Sequence, residues 1–427
     1  MTTGGNLSRV YYSLYDRMLQ NKNLLSSFQK VKSNKGSYGI DKESIADFES
    51  SIDENIERLK LELKRKEYRP QAVRRVEIPK ENGKTRMLGI PTVRDRVVQQ
   101  SLKEILEPIF EEDFHPSSYG YRPNRSCHQA ISKATMFIRK YDLKWVVDMD
   151  LSKCFDTLNH DVIIKTIKKR VTDGSILNLV RSFLKCGIMK GKIFEESKVG
   201  SPQGGVISPL IANIYLNEFD QYMKSRNFRI VRYADDILIL CKTKRKAEKV
   251  REEAVEYLEK VLKLKVNNEK THIQHSSYGI KYLGVEIYST FTKIQDKKLK
   301  KFKEKIKEKT RRNGGKSLKQ VINEINPIIR GFVNYFSIAN SKGKCTELME
   351  WVRRRLRAIQ LKLWKKPSKL RGIIRHLGYN IEVKQIKMNS WKNSNSQLAS
   401  FSMPNKWFRE LGLFDMTDAR FGLVVSC

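Results

Sequence analysis

The chain has 427 residues, of which 40% are hydrophobic and 9% aromatic, so it can build a folded core and is not a long disordered polymer. Lysine and arginine number 84 against 47 aspartate and glutamate, a net charge of +37. An enzyme of small metabolites has no use for such self-repulsion, whereas a protein that lies along phosphate backbones gains from it through counterion release. The charge favours nucleic-acid binding over the alternative, a merely solubilising or ribosome-associated basic surface.

The cysteines are scattered without a C-x-x-C pair, which predicts reduced cytosolic thiols and neither a disulfide framework nor a zinc site. They are Cys127, Cys154, Cys186, Cys241, Cys345 and Cys427. His272 and His275 form H-x-x-H, but no cysteine or acidic partner accompanies them, so a metal role is not favoured. Neither a signal-peptide segment nor an apolar run of about 18 residues is present. We expect a cytoplasmic protein without membrane contact.

Alternating charges and spaced apolar residues predict helices up to about residue 70. A hairpin is predicted next, because RRVEIPK and TRMLGIP flank a turn with Asn-Gly. Strands mixed with helices, without a regular βαβ repeat, predict an α+β domain that ends near residue 290. The elements expected after the hairpin are a helix over 95–110, strands at 144–150, 230–241 and 280–288, and helices near 160–187, 207–226 and 245–263.

The composition changes after residue 290. Residues 297–312 include ten basic and two acidic side chains, with Leu299, Phe302 and Ile306 at helical spacing. Part of this pattern is an ordinary solvated amphipathic helix, but the excess of one sign favours a face turned toward phosphate. A second helical block is predicted to end at Pro367, and a less regular tail follows.

Two adjacent aspartates, Asp235 and Asp236, interrupt the otherwise apolar strand pattern of RYADDILIL. Aspartate disfavours strand interiors, so the pair is predicted in the tight turn of a hairpin, and an isolated pair is as readily an ordinary turn. The segment KWVVDMDLSKCFD changes this balance, because an apolar strand there runs into Asp148 and Asp150. Asp150 stands five residues before Phe155, so we interpret Asp150 as a ligand and Asp148 as a structural acid.

A strand and a hairpin tip that each donate aspartate can hold two Mg²⁺ ions, as in palm-type polymerases. Such a pair of ions activates a primer 3′-OH and stabilises the leaving pyrophosphate, and Mn²⁺ is expected to substitute. The predicted metal site and catalytic centre consist of Asp150, Asp235 and Asp236, with Leu151 as a further member of the metal site.

DMDLSKCF followed by YADD resembles motifs A and C of reverse transcriptases. The resemblance implies a right-hand polymerase, with fingers and a palm on an antiparallel sheet, that adds dNTPs to a DNA primer on an RNA template. The family's aromatic residue after the first aspartate lies under the incoming sugar and excludes a 2′-OH, a role that would fall to Phe155. RNA-copying RNA polymerases more often have glycine before the paired aspartates, where this chain has Tyr233-Ala234.

Other segments match this family in the same order. Lys80 and Arg86 correspond to the cations with which the fingers contact the triphosphate. Lys270 matches motif D, where a lysine is a candidate to protonate the leaving pyrophosphate, although a surface lysine gives the same pattern.

The loop GSPQGG at 200–205 resembles motif B, which approaches the nascent base pair and the template closely. Gln203 is implied in dNTP binding, and Pro202 and Gly204 in contact with template or primer. KYLGVEI, which includes Gly284, resembles the hairpin that grips the primer.

The segments KGSYGID, PTVRDRVVQQSL, SSYGYRPNRSCHQAI and VRYADD resemble bacterial group II intron reverse transcriptases, and the similarity covers essentially the whole chain. An N-terminal extension with KGSYGID is typical of that group and implies extra contact with template RNA. Tyr119, Tyr121 and Arg122 fit a turn that contacts the template, or equally a packed aromatic turn.

IIRGFVNYF and WVRRRLR resemble the α-helical thumb or X (maturase) domain, which grips the duplex and the intron RNA. Arg330, Arg353 and Arg354 are the predicted phosphate contacts, whereas the aromatic residues are expected in the helix core. The tail from Trp391 resembles a small DNA-binding region that contacts target DNA. The implied domains are 1–70 (N-terminal extension and start of the fingers), 71–290 (fingers and palm), 291–375 (thumb/X) and 376–427 (DNA-binding region).

The zinc-bound endonuclease of larger relatives is missing, since no CxxC pair and no paired histidines follow residue 376. The chain is therefore similar to endonuclease-lacking class C proteins, which would use a primer already present at the target. Two alternatives are a splicing cofactor that only binds RNA and a related reverse transcriptase recruited to a role such as phage defence. The intact aspartates disfavour the first alternative, and the X-domain match disfavours the second.

Overall fold

The computed structural model describes residues 9–79, 83, 85–190, 193–195, 199–200, 204–378 and 392–422. The chain divides into two compact units, Met1–Gln274 and His275–Cys427. Among the described residues, no helix combines the length and the apolar character that a membrane span requires.

The first unit mixes helices and strands, as the sequence predicts. Its helices are α1 (Tyr15–Met18), α2 (Asn21–Ser33), α3 (Ile45–Ser50), α4 (Ile52–Lys64), α5 (Val93–Glu111), α6 (Cys127–Arg139), α7 (Cys154–Thr157), α8 (His160–Lys168), α9 (Gly174–Lys185), α10 (Ser208–Ser225) and α11 (Lys244–Glu256). Its strands are β1 (Val73–Pro79), β2 (Thr85–Ile90), β3 (Trp145–Met149), β4 (Ile188–Lys190), β5 (Ile193–Glu195), β6 (Arg229–Tyr233), β7 (Asp236–Cys241) and β8 (His272–His275), which ends at the first residue of the second unit.

The predicted hairpin is confirmed, with β1 and β2 antiparallel from the pair Arg74–Ile90 to the pair Pro79–Thr85. The Glu81-Asn82 part of its turn lies outside the described residues. Strand β4 pairs in parallel with β1 and antiparallel with β5, which completes a sheet of order β2-β1-β4-β5. The predicted helix over 95–110 is α5, whose N-cap Thr92 accepts a hydrogen bond from the Asp95 N–H.

A second sheet, of order β6-β7-β3-β8, contains the motifs with paired aspartates. Helix α10 packs against its strand β6 and against α8 and α5. Because these neighbours cover most of its surface, α10 buries polar as well as apolar side chains, including Asn213, Asn217 and Asp220.

The N-terminal segment closes onto residues far along the chain. Tyr11 forms a bridge with Val171, and the backbone N–H groups of Leu14 and Tyr15 donate to Asp173 Oδ2 at 2.8 and 2.9 Å. The same carboxylate caps α9 through the N–H groups of Ser175 and Ile176. One side chain thus joins the beginnings of α1 and α9.

The second unit contains an antiparallel sheet of order β11-β10-β9, followed by helices. These elements are β9 (Ile280–Tyr282), β10 (Val285–Ile287), β11 (Thr292–Ile294), α12 (Asp296–Lys309), α13 (Leu318–Phe336), α14 (Lys342–Trp364), α15 (Pro367–His376), α16 (Gln397–Ser402) and α17 (Asn405–Glu410). The prediction that Pro367 only ends a helical block is corrected. Helix α14 already ends at Trp364, and Pro367 begins α15, where its missing N–H costs no helical hydrogen bond.

Candidate active site

The aspartates of the two motifs meet across neighbouring strands. Strand β3 pairs antiparallel with β7, and Met149 stands opposite Ile237. Asp150 directly follows Met149 and Asp236 directly precedes Ile237, so both aspartates lie at the same end of this strand pair. Asp235 lies in the two-residue turn between β6 and β7, whose first residue, Ala234, has φ +56°. The turn prediction holds for Asp235, whereas Asp236 is the first residue of β7 and pairs with Tyr233.

Negative charge is concentrated where these strands end. Burial is the largest of the effects that raise the pKa of Asp236 to about 7, and the negative charges of the nearby Asp235, Asp148 and Asp150 contribute the rest. The pKa of Asp148 is raised to about 6, mainly by burial, which His272 opposes and the charge of Asp150 reinforces. A cluster of partly buried carboxylates that raise one another's pKa is stabilised by a cation.

One carboxylate of the cluster already has cationic and polar partners. Asp150 Oδ2 accepts hydrogen bonds from Asn267 Nδ2 at 2.9 Å and from Lys270 Nζ at 3.2 Å. The backbone of Asp150 is fixed by the same segment, because its N–H donates to Thr271 Oγ1 and its carbonyl accepts from the Asn267 N–H. Leu151 forms a bridge with Val266, so its backbone is part of this junction.

The donor chemistry fits a divalent cation, since carboxylate oxygens are the ligands that Mg²⁺ prefers. Over the described residues, no group of three or more histidine, cysteine, aspartate or glutamate side chains is already arranged to hold a metal ion. Asp150 Oδ2 already contacts Lys270, so an ion that binds this oxygen would compete with the ammonium group. The three predicted ligands are therefore neighbours that have not converged on one point.

A fully buried cation supports the aspartate turn from behind. Arg232 and Asp220 are both inaccessible to solvent, and Arg232 Nη2 lies 2.6 Å from Asp220 Oδ2. Arg232 Nη1 also donates to Asn213 Oδ1 and to the backbone carbonyl of Ala234, each at 3.0 Å. The guanidinium of Arg232 thereby ties the turn to α10.

The loop 117–122 lies against the same turn. The Tyr119 N–H donates to the Arg232 carbonyl, and the Arg232 N–H donates to the Ser117 carbonyl, both at 2.9 Å. A Cβ at Gly120 would come within 2.3 Å of the Ala234 nitrogen, so only glycine permits this approach. The loop thus extends the edge of β6 beside the aspartates.

Of the three residues of this loop that fit a template contact, Tyr119 and Arg122 are buried and Tyr121 is half exposed. Tyr119 is 6% exposed, and the Arg122 side chain is 3% exposed. Arg122 donates to Glu111 and to the carbonyls of His115 and Ser118. Their surroundings correspond to the packed aromatic turn that was the alternative interpretation.

Phe155, the predicted steric gate, lies on the short helix α7 and is 7% exposed. Its ring and that of Tyr121 meet edge to face, with centroids 6.3 Å apart and an interplanar angle of 80°. Lys153, the residue before α7, has φ +50°. Its left-handed backbone starts α7 after only four residues that separate this helix from β3.

The motif B loop approaches the first sheet. Gly204 has φ +114°, and a Cβ there would come within 2.4 Å of the Gly89 carbonyl oxygen on β2. Arg86 lies on the same strand, two residues from Leu88. Lys80, Pro202, Gln203 and the side chain of Arg86 lie outside the described residues.

The other predicted contacts belong to the second unit. Gly284 stands between β9 and β10 with φ +84°. Arg330 is exposed, and its guanidinium lies 5.2 Å from the centroid of the Phe414 ring. Arg354 is half-buried on α14. Arg353 is buried, and its Nη1 lies 3.2 Å from Asp415 Oδ2. Trp391 lies outside the described residues.

Sequence reasoning missed the residues that support the aspartates. Asn267 occurs in the segment matched to motif D, and Arg232 directly precedes Tyr233-Ala234. Both residues therefore lie within the recognised motifs, but the sequence alone assigns neither of them a function. Asp220 and Asn213 are spaced seven residues apart on α10, a helical repeat that places both on one side of the helix. The signal in the sequence that could have identified Asp220 and Asn213 is the occurrence of polar residues at this spacing in an otherwise apolar helix.

Family models and curated relatives agree on what the chain resembles. The model described as "Reverse transcriptase (RNA-dependent DNA polymerase)" matches residues 78–287, and "Group II intron, maturase-specific domain" matches residues 299–378. Protein YkfC of Escherichia coli is 38% identical over 293 residues, which cover 59% of this chain and 76% of that protein. Group II intron-encoded protein LtrA of Lactococcus lactis is 30% identical over 349 residues, 66% of this chain and 57% of LtrA.

A solved structure of Candida tropicalis telomerase aligns over 53% of this chain and 55% of that one, with 17% identity and a TM-score of 0.42. The polymerase match covers most of the α+β first unit and continues to β10 of the second unit, and the maturase match covers α12 to α15 except the first residues of α12. With an RNA-dependent DNA polymerase domain, a maturase-specific domain and these relatives, the chain belongs to the group II intron reverse transcriptase and maturase family.

Proposed function

We propose that this chain is encoded by a group II intron, copies RNA into DNA from a primer 3′-OH, and assists splicing and retrohoming of the intron RNA. The observation that supports the polymerase reaction most directly is the register of β3 and β7, whose last pair, Met149–Ile237, brings Asp150 and Asp236 to the same end of the sheet, with Asp235 in the adjacent turn. Carboxylates from two strands at one sheet end suit nucleotidyl transfer, in which charge develops on phosphate oxygens.

Asp150, Asp235 and Asp236 would hold two Mg²⁺ ions, with the Leu151 backbone beside them. When bound, such ions supply Lewis acidity to the primer hydroxyl and to the leaving pyrophosphate. Lys270 would leave Asp150 and turn toward the departing phosphates, where an ammonium group can donate a proton. The 3.2 Å contact between Lys270 Nζ and Asp150 Oδ2 supports this role, because it places the ammonium group beside one of the proposed metal ligands.

The remaining dNTP contacts are assigned by motif. Lys80, the next residue in sequence after β1, and Arg86, on β2, would bind the triphosphate, and Gln203 would approach the new base pair. The close contact of Gly204 with β2 supports this assignment, because it joins motif B to the strand that includes Arg86. Phe155 would exclude a 2′-OH and so select deoxynucleotides.

The nucleic-acid contacts form a second set. Lysines on the exposed side of α12 would bind phosphates of intron RNA, since Leu299, Phe302 and Ile306 occupy its buried side. Arg330, Arg354 and the turn at Gly284 would contact the primer–template duplex, with Pro202 and Gly204 on the template side. The buried Tyr119, Arg122 and Arg353 would act by supporting these surfaces. The right-hand division into fingers, palm, thumb and a DNA-binding tail completes the proposal for a bacterial cytoplasmic protein.

Primer extension tests the polymerase part. Wild-type protein, with Mg²⁺ and dNTPs on an RNA template, is expected to give full-length DNA, and rNTPs little product. Asp235→Asn is expected to abolish extension, because a neutral amide is a poor ligand for a hard cation. Asp142→Asn is the control, since Asp142 is an exposed carboxylate paired with Lys144 ahead of β3. Extension by Asp235→Asn at the wild-type rate would contradict the assigned metal site.

Splicing of a cognate intron at low Mg²⁺ tests the maturase part independently. Addition of Asp235→Asn protein should accelerate splicing as well as wild type does, because the RNA performs that chemistry. Failure of the wild-type protein to bind or accelerate the intron would remove the maturase role and leave the polymerase activity untouched.

A further inference from the structure

We propose that Tyr121 is a positioning residue for sugar selection, which holds the ring of Phe155 in the orientation that excludes a 2′-OH. This inference rests on the proposed function, because it assumes that Phe155 faces the sugar of the incoming nucleotide. It assigns a role to a residue for which the sequence left two alternatives, a template contact or a packed turn.

The contact between the two rings is specific in geometry. The centroids are 6.3 Å apart at an interplanar angle of 80°, the edge-to-face arrangement that the ring quadrupoles favour. Phe155 is 7% exposed, whereas Tyr121 is 50% exposed. Tyr121 therefore contributes little to the core of the unit and covers one side of the buried ring.

The backbone of Tyr121 is fixed relative to the aspartate turn. Tyr121 has φ +59°, which aims its side chain in a direction that a residue in the β region would not adopt. Gly120, directly before it, touches the Ala234 backbone and accepts a hydrogen bond from Asn213 Nδ2 at 2.8 Å. Arg122, directly after it, is anchored to the carbonyls of His115 and Ser118. The position of the tyrosine ring is thus set by the same loop that contacts the YADD hairpin.

The backbone of Phe155 is held from a different direction. A Cβ at Gly200 would come within 2.6 Å of the Asp156 carbonyl oxygen, so the first residue of the motif B loop packs directly on α7. The Gly200 N–H donates to the Leu158 carbonyl at 2.8 Å, and His160 Nε2 lies 2.8 Å from the Gly200 carbonyl oxygen. Removal of the Tyr121 ring therefore leaves α7 in place and frees only the aromatic side chain of Phe155.

A Phe155 ring that can move aside should reduce the selectivity for dNTPs over rNTPs more than it reduces the rate of dNTP incorporation. Exclusion of a 2′-OH requires that the aromatic ring cannot move aside, whereas a deoxynucleotide has no atom that meets it. Because Tyr121 acts through Phe155, its loss should weaken discrimination between dNTPs and rNTPs and should have no further effect when the Phe155 ring is already absent.

The test is single-nucleotide primer extension on an RNA template, with kcat/KM measured separately for a dNTP and the matching rNTP. Tyr121→Ala is expected to lower the ratio of the two values about tenfold, mainly through faster rNTP incorporation. Phe155→Ala is expected to lower the ratio further, and the double variant should match Phe155→Ala within about twofold. Tyr121→Phe, which keeps the ring, should retain most of the wild-type ratio.

Tyr141→Ala provides a matched control. Tyr141 is 51% exposed and meets Phe137 edge to face at 5.8 Å, so its removal deletes the same kind of ring pair at a position outside the site. Its ratio should equal that of wild type. Equal losses for dNTP and rNTP in Tyr121→Ala, or additive losses in the double variant, would overturn the proposal. A wild-type ratio in Phe155→Ala would instead refute the assigned gate, and an inactive wild type would refute the polymerase assignment.

Discussion

Arg232 illustrates what one side chain does for the site. Its guanidinium has no solvent exposure and bridges Asp220, Asn213 and the Ala234 carbonyl. Two charges without access to water stabilise a fold only as a pair, and the loss of one partner leaves the other uncompensated. The position of the Asp235 turn therefore depends on a charge that contacts no substrate.

Asp220→Asn should lower the free energy of unfolding by about 3–5 kcal/mol, because a buried guanidinium loses its counter-ion. Urea denaturation measures this change. The double variant Arg232→Met, Asp220→Leu should regain much of the stability, since apolar replacement of a buried pair is often tolerated. It should nevertheless extend primers poorly, because nothing then donates to the Ala234 carbonyl. Wild-type extension by the double variant would show that the turn needs no such support.

At the scale of elements, Asp173 joins the starts of α1 and α9. Burial tends to raise its pKa, but four backbone N–H groups, from Leu14, Tyr15, Ser175 and Ile176, lower it below the ordinary value. A lowered pKa means that folding favours the carboxylate. Its stabilisation is therefore complete above the unfolded pKa of about 3.9 and is lost as the pH falls further.

Asp173→Asn should cost about 1–2 kcal/mol at pH 7, as for a lost helix cap, and should make stability less dependent on pH below 5. Asp161→Asn, at an exposed carboxylate in the first turn of α8, is the matched control. Thermal unfolding between pH 3 and 7 distinguishes the variants. If Asp173→Asn loses as much thermal stability as wild type when the pH falls toward 3, other carboxylates dominate acid unfolding.

The elements were largely predictable, and the contacts between them were not. Strand and turn patterns located the β1–β2 hairpin and the β6–β7 hairpin because each depends on residues close in sequence. Arg353 appeared to be a phosphate contact because its partner, Asp415, follows 62 residues later. Separation along the chain also hid the ring pair of Tyr121 with Phe155, which exists only once the loop and α7 have packed.

For the whole molecule, the net charge of +37 predicts a steep dependence of RNA affinity on salt. Lys300 and Lys301 are exposed on α12, and their joint replacement by glutamine should reduce the slope of log K against log salt by about 1.4 if each meets one phosphate of single-stranded RNA. Replacement of the exposed Lys246 and Lys249 on α11 removes the same charge. Filter binding from 50 to 300 mM KCl compares the α12 and α11 double variants. Equal slopes of log K against log salt for the two variants would mean that only the total charge of the protein matters.

The bridge from Tyr11 to Val171 and the bonds from Leu14 and Tyr15 to Asp173 also constrain biosynthesis. A ribosome adds about 5–20 residues per second, so the first residues of the chain wait roughly 8–30 s for the partners that anchor them. During that interval the buried rings and aliphatic side chains of α1 and α2 have no complete core to enter, and chaperones or the nascent RNA can reach them. The N-terminal segment therefore cannot complete its packing until residue 173 has been synthesised. A chain released before that point would expose its own N-terminal helices.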